Sequence, residues 1–139
     1  YSPFVNHASA GISYKMNTGD VDGDGKLDVI VSNYSTNSLS IFRNIGTSGT
    51  WTGTSFAARV DVPVGVGNLW ESELADLDLD GKLDIVVASS NTNQLVVLKN
   101  NNNPGSLSAA AFSAPVYLPA PSGAFGVALA DYNNDGLID

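Results

Sequence analysis

Cysteine is absent from the 139 residues, so neither a disulfide framework nor a thiolate metal centre can hold this chain together. Histidine occurs once, at His7, so a Ser-His-Asp arrangement would have to use that residue, and a structural role at a strand edge is the expected one. Basic residues are scarce: six Lys and Arg stand against fourteen Asp and Glu, for a net charge of −8. No basic stripe exists to neutralise phosphates, and nucleic acid is not an expected partner. Missing too is any run of about 18 apolar residues, so no membrane insertion is expected. No stretch shows helical periodicity over about 11 residues. The first residue is Tyr1, and no charged, apolar, small-residue leader follows it; the chain reads as a mature or excised piece whose targeting signal has been lost.

What is present is acid in a pattern. Asp20-Val21-Asp22-Gly23-Asp24-Gly25-Lys26-Leu27-Asp28 recurs as Asp76-Leu77-Asp78-Leu79-Asp80-Gly81-Lys82-Leu83-Asp84, and again as Asp131-Tyr132-Asn133-Asn134-Asp135-Gly136-Leu137-Ile138-Asp139. Eleven of the fourteen acidic residues lie in these three stretches. The acidity is therefore local and ligand-like, not that of a solvating tail. Carboxylates or an amide fall at positions 1, 3, 5 and 9, with Gly at 6, which is the spacing of a loop wrapped around a hard cation. A carbonyl at position 7 adds a further oxygen, and the Gly permits the sharp turn. Turns rich in Asp and Gly also form for local reasons. Four converging carboxylates without a cation would repel by roughly 1 kcal/mol per pair even in high dielectric, however. Calcium suits such a loop better than magnesium, which keeps several waters and uses few carboxylates. Zinc and copper are not expected, because no loop contains His or Cys.

The repeat extends beyond the loops. Asp20 to Asp76 is 56 residues and Asp76 to Asp131 is 55. An aromatic precedes each first Asp by six residues: Tyr14, Trp70 and Phe125. Asp28-Val29-Ile30-Val31 matches Asp84-Ile85-Val86-Val87, and Leu39 to Asn44 matches Leu95 to Asn100. These short, β-branched runs bounded by Gly, Asn, Ser and Asp predict strands. The first unit should have strands near 12–19, 27–33, 38–44 and 58–64, and the second near 69–75, 83–89, 94–100 and 114–119. Long polar loops cover 45–57 and 101–113. A further first strand is expected near 124–130, and Pro3 to His7 as the last strand of a preceding unit. Four antiparallel strands per unit predict an all-β chain of β-propeller blades. The divisions are 1–10 (end of one blade), 11–66 and 67–122 (full blades), and 123–139 (start of the next). About two full blades plus flanking strands leave the ring incomplete, since closed propellers need roughly four to eight blades. Further blades from the parent chain, or other copies, are expected to cover the open sheet faces.

An EF-hand shares positions 1, 3, 5 and 6 but requires Glu at position 12 and flanking helices. Position 12 is Val31 in the first loop and Val87 in the second, and the flanks read as strands. The loops resemble instead the FG-GAP and VCBS repeats, whose Asp-rich loops bind calcium in integrin α-chain-like β-propellers. By that resemblance the first ion is held by Asp20, Asp22, Asp24, the Lys26 carbonyl and Asp28. The second is held by Asp76, Asp78, Asp80, the Lys82 carbonyl and Asp84, and the third by Asp131, Asn133, Asp135, the Leu137 carbonyl and Asp139. Asn133 lowers the charge of the third site and should weaken it. The resemblance implies a secreted or cell-surface, non-enzymatic module for adhesion or for binding a glycan or an extracellular protein. The alternatives are the propeller part of a secreted polysaccharide-active enzyme, or a structural spacer.

Other features carry less. Tyr14, Trp70 and Phe125 read as core or inter-blade packing. Trp51, alone in a Gly/Thr/Ser loop, either stacks on a sugar or buries itself. Asn33-Tyr34-Ser35 is a formal glycosylation triplet. Asn100 to Asn103 reads as a polar loop tip. Glu71 and Glu73 share one strand face and read as a charged patch, not a catalytic pair. No phosphate-cradling Gly loop and no nucleophile elbow is present.

Overall fold

A computed structural model describes residues 6–47 and 49–139. The chain forms eight strands in two consecutive four-stranded antiparallel sheets. The first blade has β1 (Ser13–Gly19), β2 (Asp28–Asn33), β3 (Ser38–Phe42) and β4 (Val60–Pro63). The second has β5 (Leu69–Ala75), β6 (Asp84–Ser89), β7 (Gln94–Leu98) and β8 (Val116–Pro119). In each sheet the spatial order is the chain order, so every neighbour is joined by a direct turn or loop. The sheets do not close into a ring.

The core lies between the two sheets. Residues paired across strands share a sheet face. In the first blade Ile30 faces Ile41, and Leu39 faces Val62. In the second, Ile85 faces Leu98 and Val87 faces Val96. All eight are buried and belong to one cluster, with Leu69 and Phe112. β2 and β6 are apolar on both faces because both faces are covered; β6 is buried from end to end. Full burial of side chains such as Leu39 and Ile41 stabilises by about 1.5–3 kcal/mol each. Tyr117 on β8 reaches across and donates its hydroxyl to the Val64 carbonyl at 3.0 Å. Gly65 beside it has φ of +81°, and a Cβ there would come within 2.5 Å of that hydroxyl, so only glycine fits.

The strand expectations hold in position, with the ends of β3, β4, β7 and β8 one to three residues shorter. Two details differ. The loop 101–113 contains a short 3-10 turn, Ala109–Ala111, capped by Ser108. Residues 124–130 form no strand. A strand needs a paired neighbour, and the counterpart of β2 in this repeat would start at Asp139, the last residue of the sequence. Its first rung is nonetheless made: the Asp139 N–H donates to the Ala130 carbonyl at 2.9 Å. That rung matches the Gly19–Asp28 and Ala75–Asp84 pairs of the two blades. The expected strand at Pro3 to His7 lies largely outside the described residues. Asn6 and His7 are not in a strand, and His7 packs edge-on against Phe42 and Phe56, ring centres 6.0 and 5.3 Å away.

Candidate metal centres

The first two acidic loops link β1 to β2 and β5 to β6, and all three loops are held by their own carboxylates. In the first loop Asp20 accepts from the N–H groups of Asp24 (3.0 Å) and Gly25 (2.8 Å), and Asp24 accepts from Lys26 N–H at 3.0 Å. The second loop repeats this with Asp76 accepting from Asp80 and Gly81, and Asp80 from Lys82. The third repeats it with Asp131, Asp135, Gly136 and Leu137. Three loops of different sequence thus take one backbone form. Position 6 is a left-handed Gly throughout: Gly25 at φ 86°, Gly81 at 85°, Gly136 at 87°. Position 4 is left-handed too, but its residue varies: Gly23, Leu79 and Asn134, at 68°, 62° and 59°.

The position-9 carboxylates tie loop to sheet. Asp28 is wholly buried; it accepts from Val21 N–H at 3.0 Å and Asn44 N–H at 2.8 Å. Asp84 does the same with Leu77 (3.2 Å) and Asn100 (2.8 Å). Asp139 accepts from Tyr132 N–H at 3.1 Å. Burial pushes the Asp28 and Asp84 carboxyls above the usual range, against the pull of these N–H bonds.

Two sets of carboxylates converge. One oxygen from each of Asp20, Asp22 and Asp28 lies within 4.8 Å of the others, and the same holds for Asp76, Asp78 and Asp84. Among the described residues these are the two groups of three acidic side chains so arranged. The donors are all oxygen, which fits a hard divalent cation and not a thiolate or imidazole metal. Asp24 and Asp80 stand outside these trios and face basic side chains. Arg43 pairs with Asp22, and its Nη2 lies 3.4 Å from Asp24. Lys99 pairs with Asp78 and lies 3.4 Å from Asp80. The bond to Asp22 raises the Arg43 pKa and the bond to Asp78 raises that of Lys99, while Lys99 holds the Asp78 carboxyl low. Lys26 adds a 3.5 Å pair with Asp24. In the third loop Asn133 accepts from Asp135 N–H at 2.8 Å, as Asp22 does from Asp24 N–H in the first at 3.2 Å.

Arg43 and Lys99 lie outside the acidic loops in the sequence and belong to no motif there. Their 56-residue separation is the signal that could have found them. Asn100 and Asn102 read as a loop tip, whereas both are buried. Asn100 Nδ2 donates to the Val21 carbonyl of the first loop (2.8 Å) and to Leu83 of its own loop (3.0 Å). Its Oδ1 accepts from Asn102 N–H and Nδ2 at 2.9 and 2.8 Å. Gly105 N–H adds a bond to the Asp22 carbonyl at 2.7 Å. The loop after β7 therefore clasps the acidic loop of the blade before it.

The remaining expectations sort by contact. Tyr14 and Trp70 stack with ring centres 4.7 Å apart, and Phe125 meets Trp70 edge-on at 4.8 Å. The aromatic row is inter-blade packing, laid along the surface: Tyr14 and Phe125 are both more than half exposed. Glu71 pairs with Lys15, and Glu73 accepts from Asn17 Nδ2 at 3.2 Å, so the two acids join blade to blade. Trp51 is 63% exposed and, with Leu27 and Phe56, lines a surface groove of about 550 Å³. Asn33 of the glycosylation triplet is fully buried in the folded chain, where its Nδ2 donates to Ser40 Oγ at 2.9 Å.

Two stacked four-stranded meanders at a period of 56 residues, each with an oxygen-lined loop between its first two strands, define a β-propeller-type repeat module. The family model described as FG-GAP-like repeat matches residues 20–87 and 76–139. The chain belongs to that family. Comparison with curated proteins and with solved structures gave no match. No helix among the described residues is long and apolar enough to cross a membrane.

Proposed function

We propose that the chain is a calcium-binding segment of an extracellular β-propeller that displays a surface for adhesion or for a glycan or protein ligand. The carrying observation is the convergence of three carboxylates within 4.8 Å in each of two equivalent loops. Asp20, Asp22 and Asp28 would hold one ion, and Asp76, Asp78 and Asp84 another, with Asp24, Asp80 and the carbonyls of Lys26 and Lys82 completing the shells. The third loop, with Asp131, Asn133, Asp135, the Leu137 carbonyl and Asp139, would hold an ion more weakly, because Asn133 brings no charge. When bound, the ion supplies positive charge that relieves carboxylate repulsion and locks the turn between the first two strands. Millimolar calcium outside cells fills such sites, whereas cytosolic levels leave weak ones empty.

The unit boundaries proposed are 11–66 and 67–122 for the blades, with 1–10 and 123–139 belonging to neighbours. Val116 and Leu118 support further blades. They occupy the places of the packed Val60 and Val62, yet are 56% and 45% exposed. The groove beside Trp51 offers an aromatic face for a sugar ring or a partner side chain.

Thermal unfolding with and without chelator tests the ion reading. Calcium at a hundred times its Kd should raise stability by about 2.7 kcal/mol per site. Asp78→Ala should lower bound calcium by about one per chain. Equal melting temperatures with calcium and with chelator would refute it.

A further inference from the structure

Arg43 and Lys99 each follow the third strand of their blade directly, at positions 56 residues apart. Each turns back to the acidic loop of its own blade and meets the same two loop positions. Arg43 pairs with Asp22 and Asp24, and Lys99 with Asp78 and Asp80. Asp22 and Asp78 are also members of the converging trios. One carboxylate therefore serves both the basic side chain and the place where a divalent cation fits.

We propose that Arg43 and Lys99 are tethered counter-cations that compete with the divalent ion for loop positions 3 and 5 and so set how tightly each loop holds it. This rests on the calcium reading above. Without calcium, the side-chain cation neutralises acids that would otherwise repel, so a blade can form before its loop is loaded. With calcium, the guanidinium or ammonium must leave Asp22 or Asp78, or share it against like-charge repulsion. The two blades differ in the strength of this competitor. Asp22's side chain is fully buried and Arg43's is 26% exposed, whereas Lys99 and Asp78 are 41% and 40% exposed. A planar, partly buried guanidinium bonded to two carboxylates is harder to displace than a solvated ammonium. The second loop therefore loads at lower calcium than the first.

The experiment is calcium titration of the full chain, stripped of metal, by calorimetry and by competition with a fluorescent chelator. Variants are Lys99→Gln, Arg43→Gln and, as a charge-matched control, Arg59→Gln, whose partners are Asp61 and the Ala8 carbonyl. Lys99→Gln should tighten one site by about two- to tenfold, the range of an exposed pair plus relieved repulsion. Arg43→Gln should tighten the other by more, and Arg59→Gln should leave both unchanged. In chelator Lys99→Gln should melt below the native chain, and in saturating calcium above it. Should Arg43→Gln fail to fold, Lys99→Gln at its solvated site carries the test alone. Unchanged or weaker binding by Lys99→Gln, where the native chain binds calcium, overturns this proposal and leaves the ion reading standing. Binding that appears only in Lys99→Gln supports it, and no binding by any variant overturns both.

Discussion

Leu79 is the residue whose replacement should most clearly improve this chain. It sits at loop position 4 with φ of +62°, where the equivalent residues are Gly23 and Asn134. A Cβ in the left-handed region meets the following carbonyl oxygen and costs roughly 1–2 kcal/mol. The Leu79 side chain recovers little by burial, being 64% exposed. Leu79→Gly removes the strain but frees the unfolded chain, which returns about 0.4–1 kcal/mol of the gain. The net gain is about 0.5–1 kcal/mol, or about 2–4 °C in melting temperature for a domain of this size. The assay is calorimetric unfolding in excess chelator, so that ion affinity does not enter. Leu79→Ala is the decisive control: it keeps the Cβ and the strain, and should gain nothing. The converse change, Gly23→Leu, should cost a similar net of about 0.5–1 kcal/mol, since a Cβ at Gly23 meets only ordinary contacts near 3.8 Å with Pro104. A Leu79→Gly chain no more stable than the native one, or matched by Leu79→Ala, would refute the strain argument.

Asn100→Ala should lower stability by about 2–4 kcal/mol in urea titration, because it leaves the buried Val21 carbonyl, the part-buried Leu83 carbonyl and the N–H groups of Asn102 without their partner. The half-buried Asn44, bonded to Leu27 and Gly46, should cost only about 1 kcal/mol on the same change. Without calcium, the buried Asp28 and Asp84 carboxyls titrate above their unfolded values. Their folded forms bind protons more readily, so their contribution to stability is present at low pH and is lost as pH rises through the raised values. Urea titrations in chelator should show that loss as pH rises from the ordinary carboxylate range, and Asp28→Asn should reduce it. After expression through a eukaryotic secretory route the folded fraction should carry no glycan at Asn33, as intact mass would show, because the fold encloses that amide beside Ser40 with no room for a sugar.

Most of the architecture is legible in the repeat itself. Eight strands fall where β-branched runs and polar turns put them, and the acidic spacing locates the loops. What is not legible depends on partners distant in sequence. Residues 124–130 have the composition of a strand, but pairing and not composition makes one. Arg43 and Lys99 become part of the loops only once β3 and β7 have returned them there. Asn100 and Asn102 have the character of a solvated tip, and tertiary packing encloses them against another blade's backbone. The Tyr14, Trp70 and Phe125 row is readable as a contact between units, whereas its exposure is not.

The amide of Asn100, with its two hydrogens divided between Val21 and Leu83, gives the stack a direction. Through that side chain the second unit grasps the turn of the first, while its own turn holds the same amide. Damage to either turn would thus be felt at the other, because a bond lost at one end is lost at both. In a longer array built by the same rule, each turn would be steadied by the unit that follows it, and neighbouring units would order and loosen together.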